Sequence, residues 1–182
     1  MISREDALAL VNEHLTKKHL IKHTLAVEVI MRAMAKRLGA DEELFGLAGL
    51  LHDLDYEQTT ASPERHGRVT VEMLHDLDVP DEVKDAILAH AGHRERNSLM
   101  DKAIYCIDPV TGLIVASALM HPSKSLGGID PGFVGKRYKE KRFAAGANRE
   151  AIASCSGLGL ELHEFFSVSI EAMKSISREL EL

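Results

Sequence analysis

Apolar residues recur along this chain at intervals of three and four, and no stretch alternates convincingly in the manner of a strand. Ser3 is placed to cap a first helix reaching about Leu15, with Asp6 in a capping-box-like position. Val27, Ile30, Met34 and Leu38 share one stripe, which predicts a second helix from about Leu20 to Leu38 with Gly39 as its stop. Asp41 opens a third, "DEELFGLAGLLHDLDY", whose middle is apolar or small nearly all round, the mark of a buried helix. The polar stretch "EQTTASPER" carries turn chemistry. Further helices are expected over His66–Leu77, from Pro80 through "PDEVKDAILAH", and over Met100–Leu119, where Pro109 must kink the helix or begin it. After a loop of Gly127, Gly128, Pro131 and Gly132, two helices at about 133–143 and 161–180 flank a shorter one from Asn148. The expectation is an all-α, single-domain helical bundle over residues 1–182.

Composition narrows the setting. Hydrophobic residues make up 45% and charged ones 27% of 182 residues, the profile of a soluble globular protein. No run of apolar residues comes near the ~20 needed to cross a bilayer, and "MISREDALAL" lacks the features of a signal peptide. Cys106 and Cys155 stand far apart in no metal-like spacing, which points to a reduced, cytoplasmic location. A formal charge of −6 argues against nucleic-acid binding through the whole surface.

The candidate chemistry begins with "LHDLD", which occurs at Leu51–Asp55 and again at Leu74–Asp78. In the first copy, helical steps back from His52 and Asp53 reach Gly49, Ala48, Phe45, Leu50 and Gly46, so both polar groups project from a helix that wants burial. A buried carboxylate is costly unless paired or bound to a cation. Gly46, Ala48 and Gly49 also leave room for a neighbouring helix. In the second copy His75 shares its stripe with Arg68, Val71 and Glu72, a solvated face. Only the first copy is expected to bind metal.

Partners for it lie elsewhere. His23 shares a stripe with Ala26, Val27, Ile30 and Met34; His90 follows Val83, Ala86 and Ile87; Asp108 stands in "AIYCIDPV"; His66 opens the helix after the polar loop. A lone inward histidine is ordinarily a satisfied core residue, but several helices each aiming His or Asp inward point to a shared cation. Imidazole and carboxylate together suit Zn, Mn, Fe or Ni, without thiolate.

In that order, His23, His52-Asp53, His66, His90 and Asp108 resemble the H…HD…H…H…D pattern of the HD-domain superfamily of metal-dependent phosphohydrolases. The local text agrees over roughly residues 20–120: "LAGLLHDLDYE", "ERHG", "AILAHAGH". The resemblance implies an all-helical bundle around one or two divalent ions (Mn, Fe, Ni, Zn or Mg), with the helices of 133–180 packed on that core. His23, His52, Asp53 and Asp108 would be the ligands of the basic site. His66 and His90 would add a second ion bridged by Asp53, with His90 preferred over His93. The chain lacks the Gly-Tyr-Pro motif of the cyclic-dinucleotide phosphodiesterases of the superfamily. It also lacks the lysine that some relatives carry just after HD.

The activity so implied is hydrolysis of a small phosphorylated molecule, nucleotides included, by metal-activated water. Asp53 is the central catalytic residue, and Asp55 or Glu57 is a candidate proton acceptor. Nucleic acid is not expected as a partner. Between Lys136 and Arg149, "KRYKEKRFAAGANR" holds six of 22 Lys and Arg. From it Lys136, Arg137, Lys139 and Arg142, with Lys102 and Lys124 near Asp108, are the candidate phosphate-binding residues. His121 is a further candidate there. Two alternatives remain open: a diiron oxygenase using the same six residues, and a non-catalytic, metal-stabilised binding domain.

Overall fold

Eleven α-helices and three short 3₁₀ turns make up the chain in a computed structural model that describes residues 1–182. In order they are α1 (Arg4–His14), α2 (Lys18–Leu38), α3 (Glu42–Leu51), α4 (Tyr56–Thr59), α5 (Arg68–Met73), α6 (Asp81–His90), α7 (Leu99–Met120), α8 (Pro131–Lys139), α9 (Arg149–Ala153), α10 (Leu162–Lys174) and α11 (Ser177–Leu180). The fold is all-α, as the periodicity requires.

Local signals set most ends. The Ser3 hydroxyl accepts from the Asp6 amide at 3.1 Å, and Asp41 caps α3 through the amides of Glu43 and Leu44. Gly39 stops α2 in the left-handed region at φ 68°. Several expected helices differ from their patterns: α8 takes in Pro131 and Gly132, expected in a loop, and stops at Lys139, and the last helix breaks at Ser175–Ile176 into α10 and α11. α3 ends at Leu51, so His52 to Asp55 form a turn at its C-terminal end, and α5 covers only Arg68–Met73. The second "LHDLD" therefore unwinds into solvent, where the side chains of His75 and Asp76 are 83% and 99% exposed.

One continuous core of 42 buried apolar residues runs from Ala7 to Leu180. At its centre α2 and α3 pack closely, because Gly49 lets the α2 backbone in: a Cβ there would stand 3.0 Å from the Cα and amide nitrogen of Glu28. Glu28 is itself buried and is held by Arg4 of α1 at 2.6 and 2.8 Å and by Arg32 at 3.1 Å. That satisfied carboxylate ties α1 to α2, and Arg32 extends the network to Glu43 of α3 at 2.7 Å.

α7 runs unbroken through Pro109. Contrary to the expectation from apolar runs, it is long and apolar enough by length and composition to cross a membrane. Its position explains the composition: α2, α6, α8 and α9 pack around it, and it carries Asp108 among buried neighbours.

Candidate metal centre

The six inward residues meet at one place. His23 comes from α2, His52 and Asp53 from the turn after α3, His66 from the turn before α5, His90 from the last position of α6, and Asp108 from α7. Around Asp53, Oδ1 lies 3.5 Å from Nε2 of His52, 3.3 Å from that of His66 and 3.7 Å from that of His90. Its Oδ2 lies 3.5 Å from Nε2 of His23. Asp108 Oδ1 is 3.1 Å from His23 Nε2 and 3.9 Å from His52 Nε2. Two overlapping sets, His23–His52–Asp108 and His52–Asp53–His90, have donor atoms close enough to share an ion.

The other ring nitrogens explain this orientation. His52 Nδ1 donates to the Gly49 carbonyl at 2.8 Å, His90 Nδ1 to the Ile87 carbonyl at 2.6 Å, and His66 Nδ1 to Asp55 Oδ1 at 2.7 Å. His23 Nδ1 stands 2.9 Å from the Thr111 hydroxyl, whose own proton goes to the Asp108 carbonyl at 2.8 Å, so the ring is the donor there too. All four imidazoles thus spend their Nδ1–H on an outer partner and turn Nε2 inward, the arrangement in which an imidazole ligates a metal. His52 Nε2 is buried without any hydrogen-bond partner. The Nε2 atoms of His66 and His90 face each other at 3.1 Å, a contact that needs a proton or a cation between two lone pairs. The donor set fits a divalent ion.

Electrostatics lead to the same place. Burial opposes charge on His23, yet hydrogen bonds and charge from Asp108 and Asp53 raise its pKa to about 10. Burial lowers that of His52 to about 4. Asp53 is penalised by burial, but the neighbouring His52, His23 and His90 hold it well below the usual carboxylate range. Asp108 is lowered too, by His23 acting against burial. In the ion-free protein His23 carries a proton where a cation would serve the two carboxylates.

The outer shell revises several expectations. Asp55 is buried, and beyond His66 it accepts from the amides of Gly67 at 2.7 Å and Thr70 at 3.0 Å. With both oxygens engaged it orients His66 and is not a free proton acceptor. Gly67 makes this possible: at φ 76°, a Cβ there would meet Ala91 at 2.8 Å. Glu57 accepts from the amides of Thr16 and Lys17 at the start of α2, away from the cluster. His93 spends one nitrogen on the His66 carbonyl at 2.8 Å and the other on Arg68 at 3.2 Å, which leaves His90 as the ring facing Asp53.

Five of the six residues, all but the fully buried His52, line an open cleft of about 650 Å³. Neither lysine nor arginine lines it, so Lys102, Lys124, Lys136, Arg137, Lys139 and Arg142 are not brought to the site. Lys136, Lys139 and Arg142 are exposed, and Arg137 pairs with Glu140 at 3.0 Å. His121 is engaged with Ser123 at 2.8 Å. The basic segment reaches the cleft instead through its small residues, Ala144, Gly146, Ala147 and Asn148. Tyr56, which packs edge-on against His66, and Tyr105, with Arg96 stacked 3.8 Å from its ring centre, line the cleft as well. So does exposed His19, whose only sequence signal is its spacing of four from His23 on α2.

Fold and site together define an all-helical protein built around a partly buried cluster of imidazoles and carboxylates fit for divalent metal. The chain matches the HD domain family over residues 20–121 and belongs to it, placing it in the superfamily of metal-dependent phosphohydrolases. Among curated proteins it is similar to Ribonuclease Y of Sulfurovum sp., 27% identical over 90% of this chain and 33% of that protein. Ribonuclease Y of Aliarcobacter butzleri is 32% identical over 52% of this chain and 18% of its own length. That of Campylobacter jejuni subsp. doylei is 25% identical over 90% of this chain and 35% of its own. The chain thus spans at most about a third of these relatives. No solved structure matches it significantly.

Proposed function

We propose that the protein hydrolyses a phosphoester of nucleotide size, with His23, His52, Asp53, His66, His90 and Asp108 holding one or two divalent ions. The observation that carries this reading is the common orientation of the four imidazoles, with His52 Nε2 buried and unpartnered. A bound divalent ion supplies a Lewis acid for phosphoryl oxygen and acidifies water toward neutral pH.

The rest falls to the chain. Asp53 offers Oδ1 to the side of His66 and His90 and Oδ2 to the side of His23, so one carboxylate serves both halves of the cluster. Asp55, Thr111 and the carbonyls of Gly49 and Ile87 fix the rings before any ligand arrives, lowering the reorganisation needed at the reacting centre. His19 lines the cleft outside the cluster, and in this reading it is assigned the proton passed to the leaving group.

A cleft of about 650 Å³ is of small-ligand size, and its tyrosines offer faces on which a base can stack. The name Ribonuclease Y, borne by relatives aligned over 90% of the chain, brings RNA phosphodiesters into consideration, against the expectation drawn from net charge. The test is a panel of p-nitrophenyl phosphoesters, mononucleotides, dinucleotides and short RNA, assayed with Mn. Hydrolysis lost in Asp53→Ala is the expected result; turnover unchanged in that variant rejects the assignment. Metal analysis together with EPR separates this reading from a diiron oxygenase, which would show iron and a mixed-valent signal.

A further inference from the structure

Arg149 is the sixth cation of the basic segment, and the structure spends it on backbone. Its Nε donates to the Tyr138 carbonyl at 3.1 Å, its Nη1 to those of Ala144 at 2.9 Å and Ala147 at 2.7 Å, and its Nη2 to that of Phe143. A more distant contact reaches the Glu140 carbonyl at 3.5 Å. No carboxylate pairs with it; the fork geometry of guanidinium is used to gather carbonyl oxygens from one loop. The Tyr138 hydroxyl closes the arrangement by donating to the Arg149 carbonyl at 3.0 Å.

The consequence falls on the other half of each peptide. With the carbonyls of Phe143, Ala144 and Ala147 drawn to Arg149, the amides of the same peptides, at Ala144, Ala145 and Asn148, donate to no group within the protein, and neither does that of Gly146. Ala144 is held at φ 43°, a left-handed conformation that alanine rarely adopts. Left-handed residues in turns form concavities of backbone N–H groups that bind anions. Ala144, Gly146 and Asn148 line the same cleft as His23, Asp53, His66, His90 and Asp108.

We propose that the loop Phe143–Asn148 is a main-chain cradle for phosphoryl oxygens facing the metal centre, with Arg149 as the positioning residue that shapes it. The cradle supplies the anion contacts that the lysines and arginines of this segment do not bring to the cleft. It rests on the cleft being a phosphoester site, and it assigns oxygen recognition to backbone rather than to side-chain charge.

The test is a titration of the isotopically labelled full chain with inorganic phosphate, followed by amide NMR, with Mg present and again without metal. The expected result is that the amides of residues 144, 145, 146 and 148 move with phosphate. Arg149→Met should weaken phosphate binding about tenfold or more, the scale of one or two lost charge-assisted hydrogen bonds, while leaving Mg affinity in place. Arg149→Lys, which keeps the charge but not the fork, should behave like Arg149→Met. Amides that stay still when phosphate saturates the protein overturn the proposal, as does full affinity in Arg149→Lys. The wild-type titration stands even if Arg149→Met fails to fold. Failure of the hydrolytic reading would appear as a protein without turnover, which this binding measurement does not depend on.

Discussion

His66 Nδ1 and Asp55 Oδ1 lie 2.7 Å apart, and Asp55, with no exposed surface, is bound at its other oxygen by two backbone amides. The pair fixes which nitrogen of His66 carries the proton. Burial works against ionisation of Asp55, but His66 and the amides of Thr70 and Gly67 keep its pKa low. Asp55→Asn should therefore weaken metal binding by about 10–100-fold, as loss of an outer-sphere carboxylate does. Calorimetric titration with Mn checks this. Unchanged metal affinity with a displaced pH–rate profile would instead make Asp55 the proton acceptor.

Stability of the ion-free protein should peak near pH 6.5. His23 is raised from 6.5 to about 10, so its contribution is fully present below pH 6.5 and is lost as pH rises through about 10. His52 is lowered from 6.5 to about 4, so its neutral burial is favourable above pH 6.5 and is lost as pH falls through about 4. Thermal melts in EDTA from pH 4 to 10 measure both arms. Because His23 must shed a proton to ligate, Mn affinity should rise with pH, and calorimetry in buffers of different ionisation enthalpy should detect proton release.

Gly49 sits where α2 and α3 touch. Gly49→Ala places a Cβ 3.0 Å from the backbone of Glu28, and the helices must part. The expected cost is about 1–3 kcal/mol, read by chemical denaturation. Since the Gly49 carbonyl accepts the Nδ1–H hydrogen bond of His52, metal affinity should fall with stability.

His75 provides the control. It repeats the local sequence of His52, yet its side chain is 83% exposed and pairs only with Asp76. His75→Ala should change stability by less than about 0.5 kcal/mol and leave metal content intact, whereas His52→Ala should deplete it.

His19 should separate catalysis from metal binding. Its substitution by alanine is expected to lower kcat by about 10²–10⁴, the usual weight of a proton donor, with Mn affinity retained. Full turnover in His19→Ala would leave the leaving group to be protonated by solvent.

Sequence by itself determined the helical class, most helix ends and the identity of the inward residues. Periodicity and capping are local: Ser3, Gly39 and Asp41 act within a turn of themselves, and a stripe such as Val27–Ile30–Met34 shows which face is buried. The HD pattern could be read because His23, His52-Asp53, His90 and Asp108 each sit among apolar neighbours in their own segments, whereas His66, in "ERHG", was legible only through the order of the pattern. Which oxygen of Asp53 faces which imidazole, that Asp55 and His93 serve His66, and that His19 shares the cleft were decided by tertiary structure. So was the fate of the basic segment, where Lys136, Lys139 and Arg142 stay in solvent while Arg149 turns inward to its own loop. Those choices rest on contacts between residues far apart in sequence, such as His23 with Thr111, 88 positions on, or with Asp108, and no local rule of spacing encodes a side chain's partner across the core.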